Sequence, residues 1–173
     1  MEIVNEYNKV YEQNLYTRPA VYIEGFNDKQ VETHKAIVNG DGNPIAVVCK
    51  NYNLVQNADI MPQFHEVILA SNLDRTGMTK KIQQSHQGAK TIVTYTFPAH
   101  EIEIAPGDSV QLRIMVLNSY DGSWKFMSMV GAVRMACMNG QVFTNGAATM
   151  YKSRHTKKLD VDHAAKIMYQ AVD

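Results

Sequence analysis

The chain lacks any run of about 18 consecutive apolar residues, so no segment reads as a membrane-spanning helix. Its first residues, MEIVNEYNKVYEQN, are polar and mixed in charge, unlike a secretory leader. Cysteine is scarce. Cys49 and Cys137 each sit in apolar, strand-like surroundings and form no C-x-x-C pair. Two isolated cysteines without a secretion signal point to buried thiols in a reducing cytoplasm, with a disulfide between them left open. Excess charge is also missing: 17 Lys and Arg balance 17 Asp and Glu, which excludes a protein coated in positive charge. The signatures of common catalysis are absent. There is no phosphate-binding GxxxxGK[ST] loop, no GxGxxG after a strand, no HExxH, no GxSxG and no paired-cysteine zinc spacing.

The 173 residues suit one domain with a sizeable core, since domains run to about 100–150 residues. A 45% hydrophobic and 20% charged composition is that of a globular protein, without the signature of disorder. The charge is unevenly spread. Residues 1–74 hold 5 Lys/Arg and 10 Asp/Glu, a net of −5, and residues 75–173 hold 12 and 7, a net of +5. Such asymmetry permits a basic face opposite an acidic one.

The expected fold class is α+β: a twisted antiparallel sheet built from hairpins, with one packed helix and a C-terminal helix. Residues 1–32 read as an irregular or partly helical N-terminal arm, and 33–173 as a single α+β domain that is expected to continue past Asp173. A first hairpin spans 33–50, turning at Gly40, Asp41, Gly42 and Pro44. A helix is expected over 58–72, with Asn57 or Asp59 as its N-cap, Pro62 tolerated within the first turn, and Ile60, Phe64, Val67 and Ile68 on one face. Residues 78–97 form a strand pair turning near Gly88. Its polar first arm is either a charge-protected edge or a binding surface. Pro106-Gly107-Asp108 marks another turn. Asp160 is a plausible N-cap for the final helix, whose buried stripe is Val161, Ala164, Ala165, Met168 and Val172.

Residues 110–140, VQLRIMVLNSYDGSWKFMSMVGAVRMACMNG, read as one long hairpin. Asp121-Gly122 suggests a two-residue type I′ turn, which pairs Leu117 with Phe126, Arg113 with Val130 and Ser109 with Arg134. In that register Val110, Leu112, Ile114 and Val116 join Met127, Met129 and Val133 on a core face. The other face mixes Trp124 and Phe126 with Gln111, Arg113, Ser128 and Arg134. Rings interleaved with guanidinium groups suit an unpaired nucleotide strand, because bases stack and phosphates pair. A helix covering this face, with the arginines reaching to its rim, fits the same pattern.

The densest basic run is Tyr151-Lys152-Ser153-Arg154-His155-Thr156-Lys157-Lys158. As a loop before a helix, it offers phosphate contacts through Lys152, Arg154, Lys157 and Lys158, or it is an ordinary solvated loop. His34, His65, His86, His100, His155 and His163 are scattered without ligand spacing, so no metal is expected. A Cys137–His155–Asp121 grouping is conceivable only through folding, and the strand alternation buries Cys137.

Several segments resemble the family of phage- and plasmid-like proteins that carry domain of unknown function 932. NSYDGS (118–123) is similar to the family's NSHDGS, and VRMACMNGQVF (133–143) to its RVVCQNT element, keeping Arg134, Cys137 and Asn139. Residues 37–57 resemble its turn, LGVV and Y..VQN pattern, and RHT (154–156) matches its downstream RHT. Tyr120 stands where the family has His, Met135-Ala136 replaces a Val pair, and Gly140 replaces Thr. The family carries no established catalytic residues or cofactor. Its occurrence in phages and mobile elements, among replication and recombination genes, implies a protein acting on nucleic acid in the bacterial host cytoplasm.

The expectation that follows is a single-stranded DNA-binding protein assisting replication, recombination or strand annealing. Stacking falls to Trp124 and Phe126, and phosphate pairing to Arg113, Lys125, Arg134, Lys152, Arg154, Lys157 and Lys158. Polar edge strands would allow a homo-oligomer. The alternative is a protein-interaction module that modulates a host factor through an apolar patch of Met115, Leu117 and Phe126.

Overall fold

A computed structural model of the chain describes residues 7, 9–17, 29–131, 133–135, 142–144 and 149–172. Three strands open it: β1 (Tyr11–Thr17), β2 (Lys29–Val38) and β3 (Pro44–Cys49), antiparallel in the order β1-β2-β3. The N-terminal segment was expected to be irregular or helical, yet its Tyr11–Thr17 stretch is a strand. It pairs along β2 from Tyr11↔Val38 to Thr17↔Lys29. The tyrosines give no period on their own. The partner strand supplies the hydrogen bonds that select an extended chain.

Helix α1 (Asn57–Ala70) follows, then β4 (Thr79–Ser85), β5 (Lys90–Ala105), β6 (Asp108–Ser119) and β7 (Phe126–Gly131). After β8 (Val133–Met135) and β9 (Val142–Thr144), β10 (Thr149–Ser153) returns to the main sheet and α2 (Val161–Val172) ends the described chain. The main sheet is antiparallel, ordered β10-β7-β6-β5-β4, and β8 and β9 pair with each other. The expected α+β architecture stands. The turns expected near Gly88 and at Pro106-Gly107 form, and β4 is an edge strand.

Both helices lie on one face of the main sheet. Ile60, Phe64 and Ile68 of α1 and Ala164, Met168 and Val172 of α2 pack with Val93, Tyr95, Phe97, Ile114, Val116, Phe126 and Val130. The α2 stripe falls where the helical period put it, and Asp160 caps the helix by accepting the His163 N–H at 2.8 Å. The α1 start differs from expectation. Gln56 is the N-cap residue and makes no side-chain cap; its amide instead pairs with the Val10 backbone, Nε2 donating to O at 2.7 Å. Pro62 therefore lies in the second turn, where it removes one helical N–H donor.

The long hairpin has a different register from the one the turn signal suggests. Leu117 pairs with Met127, Met115 with Met129 and Arg113 with Gly131, one residue away from the expected pairing. A type I′ turn requires positive φ at both central residues. Here Gly122 has φ 72°, but Asp121 does not enter that region. Asp121 instead accepts the Ser123 N–H at 2.9 Å and the Ser123 hydroxyl at 2.6 Å, making an Asx turn within a six-residue tip, 120–125.

A one-residue slip moves a strand's side chains to the opposite face. Phe126 therefore joins Ile114 and Val116 beneath the helices, while Met127 and Met129 join Met115, Leu117 and Ile92 on the other face. The hairpin is also shorter than expected. The sheet strand ends at Gly131, where φ is 151°, and Arg134 pairs with Phe143 of β9 while Ser109 pairs with Glu103 of β5.

Candidate functional site

The hairpin tip is fixed by buried polar groups. Asn118 Nδ2 donates to Asn57 Oδ1 at 2.7 Å and to the Val55 carbonyl at 3.1 Å, and Asn57 Nδ2 donates to Thr91 Oγ1 at 2.9 Å. The Tyr120 hydroxyl accepts the Asn57 N–H at 2.9 Å, satisfying a helix-start donor that no N-cap side chain reaches. Desolvation pushes the Tyr120 phenol up to about 12. The Ser119 hydroxyl accepts the Trp124 N–H at 3.2 Å and donates to the Trp124 carbonyl at 3.3 Å, closing the tip. Thus Asn118, Ser119, Tyr120, Asp121 and Ser123 hold one another, α1 and Trp124 in place.

Against this tip lies a cleft of about 490 Å³, walled by Val47, Val48 and Cys49 of β3, by Trp124 and Lys125, and by Arg154, His155 and Thr156. Tyr52 also lines it. The Tyr52 hydroxyl donates to the Ser119 carbonyl at 2.6 Å, its own carbonyl accepts Lys35 Nζ at 2.9 Å, and burial raises its phenol. The His155 ring stacks on Tyr52 with centroids 4.9 Å apart. Its Nδ1 lies 3.3 Å from the Asn53 carbonyl, which can only accept, so Nδ1 carries the proton. Burial lowers the His155 pKa, so the ring is neutral at pH 7. Its Nε2 is then a buried lone pair without a hydrogen-bond partner among the described residues.

The sequence-predicted residues divide here. Trp124, Lys125 and Arg154 line the cleft, and Lys157 and Lys158, which follow Thr156 of its wall in the chain, are exposed. Trp124 is half-buried, packed on the Met115–Leu117–Met127–Met129 cluster, with Lys90 Nζ 5.2 Å from its ring centroid. Lys152 is exposed on β10 and pairs with Met127, so it shares the sheet face on which Trp124 packs.

Phe126 is a correction. It is fully buried, 5.9 Å from Phe64 and 6.3 Å from Tyr151 by ring centroids, and cannot stack on a base. Arg113 is half-buried six residues before the end of β6, roughly 20 Å along the strand from the tip. Arg134 has left the main sheet for β8. The apolar patch of Met115, Leu117 and Phe126 is not exposed, because all three are buried.

Cys49, expected to be buried, is exposed at the cleft. Cys137 lies outside the described residues, so the Cys137–His155–Asp121 grouping reduces to His155 and Asp121. Among the described residues the Cys49 thiol makes no hydrogen bond to His155, and no three His, Cys, Asp or Glu side chains gather to hold a metal ion. Tyr52, Asp121 and His155 were not singled out as binding residues. All three lie within segments that resemble one family, which is the sequence signal they share.

Those segments, 37–57, 118–123 and 154–156, meet around this one cleft. The family model described as domain of unknown function 932 matches residues 44–173, most of the chain. The chain belongs to this family. Comparison with curated proteins and with solved structures gives no match. The family match takes in all three walls of the cleft, while β1 and β2 lie before it. No helix among the described residues of this DUF932 chain is long and apolar enough to cross a membrane.

Proposed function

We propose that this protein binds single-stranded nucleic acid, with DNA the favoured form, at the cleft between β3, the hairpin tip and the 154–156 loop. It would thereby assist replication, recombination or strand annealing of a phage or mobile element in the bacterial host cytoplasm. The observation that carries the reading is the juxtaposition of Trp124 with Lys125 and Arg154 in one cleft. An indole wall accepts any base face, and cations at the rim pair with the flanking phosphates. Lys152, Lys157 and Lys158 are exposed nearby along the chain and extend the basic path. Lys90 Nζ lies over the indole ring, 5.2 Å from its centroid, and adds a further cation at the site.

Arg113, Phe126 and Arg134 have no part in this reading. The platform is narrower than a whole sheet face, because Ile92, Met115, Leu117 and Met129 at the centre of that face are buried. The site therefore takes one or two bases, and the strand continues over exposed lysines.

Trp124 is the single tryptophan, so intrinsic fluorescence reports the site directly. The test is a titration with single- and double-stranded oligonucleotides at two salt concentrations, followed by fluorescence and anisotropy and repeated with Trp124→Ala. Quenching by the single strand, lost at high salt, is expected. No binding at low salt, or equal affinity of the variant, defeats the proposal.

A further inference from the structure

Among the described residues, four strands form the edges of the two larger sheets. Three of them carry charge: Glu12 on β1, Lys80 and Lys81 on β4, and Lys152 on β10. Charge on an edge strand discourages pairing with other chains. The fourth, β3, reads PIAVVC and has none, and its Val47 side chain is 55% exposed. The β3 backbone is also open on the side away from β2. The Lys50 N–H donates to the Thr33 carbonyl at 2.9 Å, so by alternation Val48 and Ala46 also turn their backbone groups toward β2. Val47 and Cys49 turn theirs away. The Cys49 carbonyl accepts the Tyr52 N–H at 2.9 Å. The Val47 N–H, the Val47 carbonyl and the Cys49 N–H have no partner among the described residues.

This open edge faces the cleft. Val47, Val48 and Cys49 all line it, although successive side chains of a strand point to opposite faces. A cavity that touches three consecutive strand residues lies along the edge and is not confined to one face. The three residues span about 10 Å, and no residue of β2 borders the cavity. Exposed Lys125 and Arg154 line the same cleft, and exposed Lys50 follows β3 directly. Asp121, the one carboxylate among the described lining residues, is engaged by Ser123.

We propose that β3 takes up an extended, acidic segment of a partner protein as a further strand, seated in the cleft with its carboxylates on Lys125 and Arg154. In strand addition the main-chain bonds supply affinity and the side-chain surroundings select the sequence. Acidic residues of the segment meet the cations, and β-branched residues between them pack beside Val47. Two-fold pairing of β3 with its own copy fits less well, because it gathers Lys125 and Arg154 of both copies at one seam. The inference stands apart from the nucleic-acid reading, since the strand edge carries it and not Trp124.

The probe is a fluorescein-labelled ten-residue peptide alternating Glu and Val, titrated into the full chain and followed by anisotropy. One comparator has Lys in place of Glu. The other is the Glu peptide N-methylated at its four central amides, which keeps the charge and removes donors. The Glu peptide is expected to bind about tenfold more tightly than its methylated form, the scale of two net hydrogen bonds, and the Lys peptide more weakly still. Exchange of the Val47 and Cys49 amide protons should slow on binding, while the Ala46 and Val48 amides, already bonded to β2, keep their rates. Val47→Pro removes an outward donor without touching the ladder to β2, and should weaken the Glu peptide as methylation does.

If Val47→Pro fails to fold, the methylated comparator on the parent chain decides. Equal binding of the two Glu peptides, or binding that leaves exchange at Val47 and Cys49 as it was, overturns the inference. Absence of peptide binding overturns it too, and leaves the nucleic-acid reading intact where oligonucleotide still binds. Peptide binding with the expected exchange pattern, by a protein that ignores oligonucleotide, keeps this inference and removes that reading.

Discussion

Phe126 of β7 packs on Phe64 of α1, with ring centroids 5.9 Å apart and planes tilted by 43°, while Trp124, two residues earlier, packs on the opposite face of the sheet. Trp124 lies within the six-residue tip, ahead of the strand, and does not follow its alternation. One aromatic is therefore core and the other is surface.

Phe126→Ala should accordingly be a stability variant. Removing a fully buried ring between two helices and a sheet is expected to cost about 3–5 kcal/mol. Urea unfolding followed by circular dichroism measures it, and a loss below about 1 kcal/mol would contradict the packing described.

Trp124→Ala should behave in the reverse way. The side chain is only half-buried, so the stability loss should be smaller than for Phe126→Ala, while oligonucleotide affinity should fall by about 1–3 kcal/mol, the range for one base–aromatic stack. Paired unfolding and anisotropy measurements on the two variants separate the roles.

Salt dependence distinguishes the rim cations. The slope of log affinity against log salt should decrease by about one for each of Lys125→Ala and Arg154→Ala, since each contact displaces condensed counterions. Arg113→Ala, some 20 Å away along β6, should leave that slope as it is.

The buried amide pair offers a stability test at residues that do not themselves line the cleft. Asn57→Ala removes the acceptor for Asn118 Nδ2 and the donor to Thr91. An unsatisfied buried polar group costs about 1–3 kcal/mol. The double variant Asn57→Ala/Asn118→Ala should lose less than the sum of the single variants, because each single change already strands the other amide.

His155 makes stability depend on pH in a defined direction. Its pKa is lowered in the folded state by burial, with the Asn53 carbonyl and the Asp121 carboxylate opposing the shift. The unfolded chain, with a pKa near 6.5, binds the proton more readily than the native one. The stabilising contribution is therefore complete above pH 6.5 and is lost as pH falls toward the lower folded value. The titratable groups that line the same cleft are Cys49, Tyr52, Asp121, Lys125 and Arg154. Melting temperatures across pH 7.5 to 5 should fall less steeply in His155→Phe than in the parent; parallel curves would contradict the assignment.

The sequence by itself determined the kinds of element and most of their positions. Period-3.6 spacing placed Ile60, Phe64 and Ile68, and then Ala164, Met168 and Val172, on buried helix stripes, and Asp160 capped α2 as its side chain dictates. Alternation placed Val93, Tyr95 and Phe97 on one face of β5, and Gly107 and Gly88 marked their turns. These are local properties, set by backbone geometry within a few residues.

Only the tertiary structure decided which face each side chain occupies in the long hairpin. A two-residue turn and a six-residue Asx-closed tip are both compatible with YDGSW, and they differ by the one residue that inverts a strand. Alternation could not decide between them, because β7 reads FMSMVG and is buried on both faces. The cleft was equally beyond local reading. Tyr52, Trp124 and His155 come from segments far apart in the chain, and they meet because β10 returns beside β7 and Tyr52 donates to the Ser119 carbonyl. Their meeting is a property of strand order and of a buried hydrogen-bond network, which no window of neighbouring residues encodes.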